Sequence, residues 1–343
     1  MTRRNWLTNL GALAAMPAAA APSPGLPRKV ILGTMMQAFW GKHPGVAARV
    51  DELAAAVEKM AAQSQQKYGR HPDLLILPET SISGEADGDA YARAVSYEGV
   101  VGRTFEKLAK AHQTYIIVAT YLREAGGSKQ CSNAAVLVDR KGSVEGIYRK
   151  VHLVPSAGGG FEGGTTPGRE FPVFTCDFGK LGIQICYDME FDNGWRELQR
   201  KGAEIVAWPT QSPQRAHPCA RAMELPAYIV SSTWRSNASV FEPTGKIVAG
   251  IQKPEEHVLV QEIDLSYMIL PWSGKLRNGK ALRDKFGDRA GFRYYEDEDL
   301  GMFWSNNPKM GIAEMARGMG LITAEAELAR VRKLYQEAGI VGY

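Results

Sequence analysis

The chain has 343 residues, 45% of them hydrophobic and 23% charged, with a formal net charge of +4. That balance belongs to a soluble globular protein long enough for one large domain or two ordinary ones. No basic run is interleaved with aromatics, which argues against a nucleic-acid partner.

In chain order, the first segment stands apart. MTRRNWLTNLGALAAMPAAAAPSPG runs from two arginines through an apolar stretch, Leu7 to Met16, into alanines and then Pro/Ser/Gly. Charged, apolar and small residues in that order make an export signal, and Arg3-Arg4 before Trp6-Leu7 resembles a twin-arginine signal. The apolar stretch is far short of the ~20 residues of a membrane span, so no stable anchor is expected. Residues 1–27 are therefore read as signal and linker, with cleavage near Ala20, and the mature protein as periplasmic or secreted. Cys131, Cys176, Cys186 and Cys219 would permit two disulfides in such a location. Their spacing matches no small disulfide framework, and a twin-arginine substrate folds before export, so none is expected.

After the signal, short apolar runs alternate with helical patterns. RKVILGTMMQ (28–37) and PDLLILPET (72–80) read as buried strands. Between them Val46, Val50, Leu53, Val57 and Met60 recur at helical spacing. GVVGRTFEKLAKAHQT predicts a second helix, followed by strands at YIIVAT, NAAVLVD and VEGIYRK, the last two joined by a turn at Lys141-Gly142. A Gly-rich loop, PSAGGGFEGGTTPGRE, leads to strands at FPVFTC and LGIQIC. A helix (GWRELQRKG), a strand (AEIVAWP), a short helix (CARAMELPA) and the strands YIVSSTW, NASVFEP, KIVAGI and HVLVQEIDL complete residues 28–265. Strands fed partly by helices and partly by hairpins predict an α/β domain with helices outside and sheets inside. Residues 266–343 are charged and aromatic and end in the amphipathic AEAELARVRKLYQEAG. They read as an extension, too weakly apolar for a core of its own, that packs on the domain or on a neighbouring subunit.

Three predicted strands end in complementary chemistry: LLILPE in Glu79, GIYRK in Lys150 and GIQIC in Cys186. Strand ends let a sheet aim side chains into one pocket from rigid backbones. A thiol is a strong nucleophile only as thiolate, which a neighbouring ammonium favours. A carboxylate in reach can take its proton and return it to a leaving amine. Each residue alone has an ordinary structural explanation; together they suffice for acyl transfer. His152 lies close in sequence, but the following LVP suits a packed or hydrogen-bonded histidine. Trp208, Trp234 and Arg235 could line a pocket, but core packing or a surface ion pair suits each better. The six histidines show no metal-ligand spacing, and GGGFEGG lacks the ending of a phosphate loop. No metal or cofactor is expected.

LPETSISG, YRKVHLVPS and GIQICYDMEF, in this order, resemble the three signature blocks of the nitrilase (carbon–nitrogen hydrolase) superfamily over residues 28–265. The resemblance implies a four-layer αββα sandwich, here with a C-terminal extension, and pairing of subunits into a homodimer or larger homo-oligomer. It implies Glu79 as general base, Lys150 as oxyanion stabiliser and Cys186 as nucleophile, with the backbone N–H of Tyr187 completing the oxyanion hole. Many members carry a second glutamate after the lysine block; Glu162 is the carboxylate available in the Gly-rich loop. The implied activity is hydrolysis of a non-peptide carbon–nitrogen bond in a small amide or N-carbamoyl substrate, through a thioester. CYD at 186–188 resembles the amidase and carbamoylase branches rather than the nitrile-cleaving one. A nitrilase, an amine-accepting acyltransferase and an inactive ligand-binding relative stay open as alternatives.

Overall fold

In the computed structural model the described residues are 25–340 except 87, 125–128, 158 and 254. The export-signal reading thus falls almost wholly outside the described residues. The elements in order are β1 (Lys29–Met35), α1 (Val46–Tyr68), β2 (Leu74–Ile76), α2 (Ala90–Arg93), α3 (Val100–Ala111), β3 (Tyr115–Arg123), β4 (Cys131–Val138) and β5 (Val144–Arg149). Then come β6 (Val173–Cys176), β7 (Gly179–Ile183), a 3-10 helix (Cys186–Glu190), α4 (Asp192–Arg200), β8 (Ile205–Thr210), α5 (Ala216–Glu224), β9 (Tyr228–Thr233), β10 (Ser239–Phe241), β11 (Ile247–Gly250) and β12 (Val258–Asp264).

Two six-stranded sheets form, in the orders β12-β1-β2-β3-β4-β5 and β11-β10-β9-β8-β7-β6. Each has a parallel centre, β1-β2-β3 in one and β7-β8-β9 in the other, fed by helical crossovers. Alternate residues of each central strand point to opposite faces, and both faces are apolar. Val30, Leu32, Leu74, Ile76 and Ile117 meet Leu181, Ile183, Ile205, Ala207 and Val230 between the sheets. The other face of the first sheet packs Ile31, Met35, Leu75 and Ile116 on α1 and α3 through Val50, Leu53, Met60 and Phe105. Outside the second sheet, Val206, Trp208 and Ile229 pack on Trp195 and Leu198 of α4 and Ala222 of α5. The result is the αββα sandwich. Gly33 shows how tight the stacking is: a Cβ there would lie 2.3 Å from Leu75 Cδ2 and 3.1 Å from the Met60 sulfur on α1.

The extension comprises β13 (Tyr267–Pro271), α6 (Lys280–Phe286), β14 (Ala290–Tyr295), β15 (Leu300–Ser305), α7 (Ile312–Arg317) and α8 (Ala324–Glu337). The expectation that it lacks apolar residues for a core of its own does not hold. A three-stranded sheet, β13-β15-β14, gathers Met268, Leu270, Leu276, Leu282, Phe303, Ile312 and Met315 into a separate cluster. These residues are spread thinly along the chain, and only the sheet brings them together. The same sheet docks on the sandwich: Met302 joins the inter-sheet core, and Tyr228 donates a hydrogen bond to its sulfur at 3.0 Å.

Candidate active site

β2, β5 and β7 all stop short of Glu79, Lys150 and Cys186. Glu79 lies in the turns after β2, Lys150 is the first residue after β5, and Cys186 opens the 3-10 helix beyond β7. The strands aim these side chains, but turns present them. Cys186 holds φ +44°, Thr80 beside Glu79 holds +49°, and Glu162 in the Gly-rich loop holds +36°. A left-handed conformation in a non-glycine residue costs about 1–3 kcal/mol and persists only where its surroundings enforce it.

Those surroundings are identifiable. The Trp208 indole donates to the Cys186 carbonyl at 3.1 Å, and the Trp234 indole donates to the Glu79 carbonyl at 2.7 Å. Asp188, fully buried, accepts from Ile185 N at 2.9 Å, Tyr148 OH at 2.7 Å and His152 N at 2.9 Å, which clamps the turn around the cysteine. His152 also places Nδ1 2.8 Å from Asp188, and its ring stacks on Phe191 with centroids 4.1 Å apart. It is a packed, hydrogen-bonded histidine.

The charged groups converge on Lys150, which is 1% exposed. Its Nζ donates to Glu79 Oε1 at 3.0 Å and to Glu162 Oε1 by a short contact. Glu162 also accepts from Val154 N at 3.1 Å. Glu79 Oε2 accepts from Gln211 N at 3.1 Å. Asn133 Nδ2 donates to both carboxylates, at 2.8 Å to Glu79 and 3.0 Å to Glu162. Burial presses the lysine downward, but Glu79, Cys186 and Glu162 outweigh it and hold the ammonium above its ordinary range.

Burial, then the Glu79 charge, push Cys186 up to about 12, against the opposing pull of Lys150, the Thr210 hydroxyl and the Gln211 backbone. Burial thus favours the neutral thiol over the thiolate. Tyr187 follows in the first turn of the 3-10 helix, where leading amides have no partner inside the helix.

Asn133, Asp188, Trp208 and Trp234 complete the site; the sequence offers the tryptophans only as pocket-lining candidates and Asp188 only as part of CYD, and Asn133 is not singled out. The available signal was the polar pair Ser132-Asn133 in a wholly buried strand, since buried polar groups need partners. All four cysteines are free thiols. Among the described residues, no group of three or more His, Cys, Asp or Glu could hold a metal ion, and no helix is long and apolar enough to cross a membrane.

The sequence profile of the carbon-nitrogen hydrolases matches residues 34–270. The chain belongs to the carbon-nitrogen hydrolase family. This carbon-nitrogen hydrolase is 26% identical over 239 residues to a probable nitrilase of Schizosaccharomyces pombe, covering 64% of the present chain and 86% of that protein. It is 29% identical over 210 residues to the N-carbamoylputrescine amidase of Arabidopsis thaliana, covering 52% and 69%. Two other relatives are matched over 48% and 55% of their own length. Among solved structures, Nit3 of Saccharomyces cerevisiae, a member of the nitrilase superfamily, superposes with a TM-score of 0.58 at 21% identity, over 70% of this chain and 91% of that one. The fold is that of the nitrilase superfamily, and the chain is a hydrolase of carbon–nitrogen bonds with amidase-like relatives.

Proposed function

We propose that this carbon-nitrogen hydrolase cleaves a small amide or N-carbamoyl compound through a thioester on Cys186. The observation that carries the reading is a buried ammonium held between two carboxylates, with the thiol close enough to feel both Glu79 and Lys150. An ammonium has three N–H donors, and Glu79 and Glu162 take two, so one is left to meet an oxyanion.

In the reaction, Glu79 takes the Cys186 proton as sulfur bonds to the amide carbon and the C=O pair moves onto oxygen. That oxyanion is met by Lys150 and the Tyr187 N–H. As the oxyanion collapses, the C–N bond breaks and nitrogen receives the proton from Glu79, leaving as ammonia or an amine. Glu79 then takes a proton from water, whose oxygen attacks the thioester. Finally the C–S bond breaks and the proton returns to sulfur. Glu162 keeps Lys150 charged and oriented.

An amide is favoured over a nitrile because Cys186 is followed by Tyr187-Asp188, as in the amidase and carbamoylase branches. An amide also yields an oxyanion at once, whereas a nitrile first yields a thioimidate. Ammonia release from amide and nitrile pairs with the same side group tests this; much faster turnover of the nitriles contradicts it. The proposal extends to export by residues 1–27 into the periplasm or medium, and to a homodimer or larger homo-oligomer. Cell fractionation and light scattering test these two points, a cytoplasmic or monomeric protein being the contrary result.

A further inference from the structure

We infer that Asn133 is a positioning residue that holds Glu79 and Glu162 apart on either side of Lys150. The inference rests on the reading of the site given above and adds a residue to it.

Asn133 lies on β4, every residue of which is buried, and is itself 1% exposed. A carboxamide in such a strand is costly unless its hydrogen bonds are made; here the amide nitrogen is satisfied and the buried Oδ1 is left without a partner. The two Nδ2 bonds, to Glu79 Oε1 and Glu162 Oε2, use both of its N–H donors. The orientation is fixed by chemistry, since ionised carboxylates only accept and a flipped amide would turn its oxygen onto both. The backbone of Asn133 serves the same cluster: its carbonyl accepts from Lys150 N at 2.8 Å. One residue therefore touches all three charged members of the site.

The electrostatics explain why an amide suits this position. Two carboxylates share one ammonium, and like charges so placed repel each other unless each has donors of its own. Other groups face the pair as well. Cys186 lies across the site, and Tyr121 on β3 has its phenol pushed up to about 12 by burial and then by the Glu162 and Glu79 charges. Arg93 sits over the Tyr121 ring at 5.0 Å. Asn133 gives each carboxylate a donor without changing the net charge. A cation there would compete with Lys150, and an acid would add a third negative charge. With Oε1 of Glu79 taken by Lys150 and Asn133, Oε2 has only the Gln211 amide and is the oxygen free to receive the thiol proton.

The test compares N133L and N133D, both close in size to asparagine, with the native enzyme and with C186A on one amide substrate over a pH series. N133L should lower kcat about 100-fold, the scale of a reacting group displaced by about 1 Å, with a much smaller change in KM. Its acid limb should move to higher pH, because a carboxylate that loses a donor takes a proton more readily and Glu79 must be unprotonated to act. N133D should lose more activity and move the limb further. A packing role would lower the amount of folded protein and leave the limb in place. If C186A is inactive while N133L and N133D keep native kcat, or lose it with an unmoved limb, the inference is overturned alone. If C186A still turns over, the reading beneath it fails too.

Discussion

Two regions of this hydrolase bury charge, and they do so to different ends. At the contact between the extension and the sandwich, Glu242 is fully buried and accepts from Arg293 Nε at 2.9 Å, from a second Arg293 nitrogen, and from Thr244 at 2.6 Å. Nearby, Lys246 pairs with Asp297 and Glu298, both at 2.7 Å. The Lys246 pairs are open to solvent, but in the buried pair one acid meets one forked cation, and the Glu242 oxygens are occupied. In the active site two acids meet one lysine beside a thiol, three residues of the surroundings are held at positive φ, and donors and acceptors are left over. A matched pair holds parts together; an unmatched one can do chemistry.

Substitutions should separate the two. C186A and E79Q are expected to abolish turnover without unfolding the protein, checked by ammonia release alongside thermal melting. K150A should lose at least about 100-fold in kcat through the missing oxyanion donor. It should also destabilise the fold by about 3–5 kcal/mol, because two buried carboxylates lose their cation. R293A should invert the pattern. Its melting temperature should fall, on the order of 3 kcal/mol for a buried acid stripped of its partner, while turnover per folded molecule stays near native. Equal losses of activity and stability in R293A would mean that the regions are not separable.

The pH response sharpens the contrast. With its thiol at about 12, Cys186 should react slowly with iodoacetamide near neutrality and faster as pH rises. E79Q removes the neighbouring negative charge that raises the thiol, so the midpoint of that rise should move to lower pH even though turnover is lost. Peptide mass spectrometry across a pH series reads this directly, and an unmoved or raised midpoint would remove Glu79 from the thiol's surroundings. The smallest effect is expected at His152. H152A loses one side-chain bond to Asp188 and a stacked ring, worth about 1 kcal/mol of stability, and should change kcat less than about 10-fold, since the backbone bond from residue 152 to Asp188 remains.

The same contrast explains what could be read from the sequence. Apolar runs of strand length and helices at 3.6-residue spacing state their burial locally, so an α/β layering is legible, whereas the four-layer αββα arrangement is legible only through the family resemblance. The convergence of Glu79, Lys150 and Cys186 is legible because each directly follows such a run. Asn133 was hidden inside one: a single polar residue in an apolar strand looks unexceptional until its partners, from turns far away in sequence, are in view. The pull of Lys150 on the Cys186 thiol can be read from adjacency, whereas the opposing push of burial and of the Glu79 charge arises only in the fold. The extension's core was missed because Met268, Leu282, Phe303 and Met315 form no local pattern.

The central claim is a covalent acyl group on Cys186. Acid quenching during turnover of an amide substrate, followed by digestion and mass spectrometry, tests it. The account predicts the acyl mass on the peptide that carries Cys186 in the native enzyme and none in C186A. Turnover by C186A, or steady native turnover with the acyl group found on another residue, would contradict it.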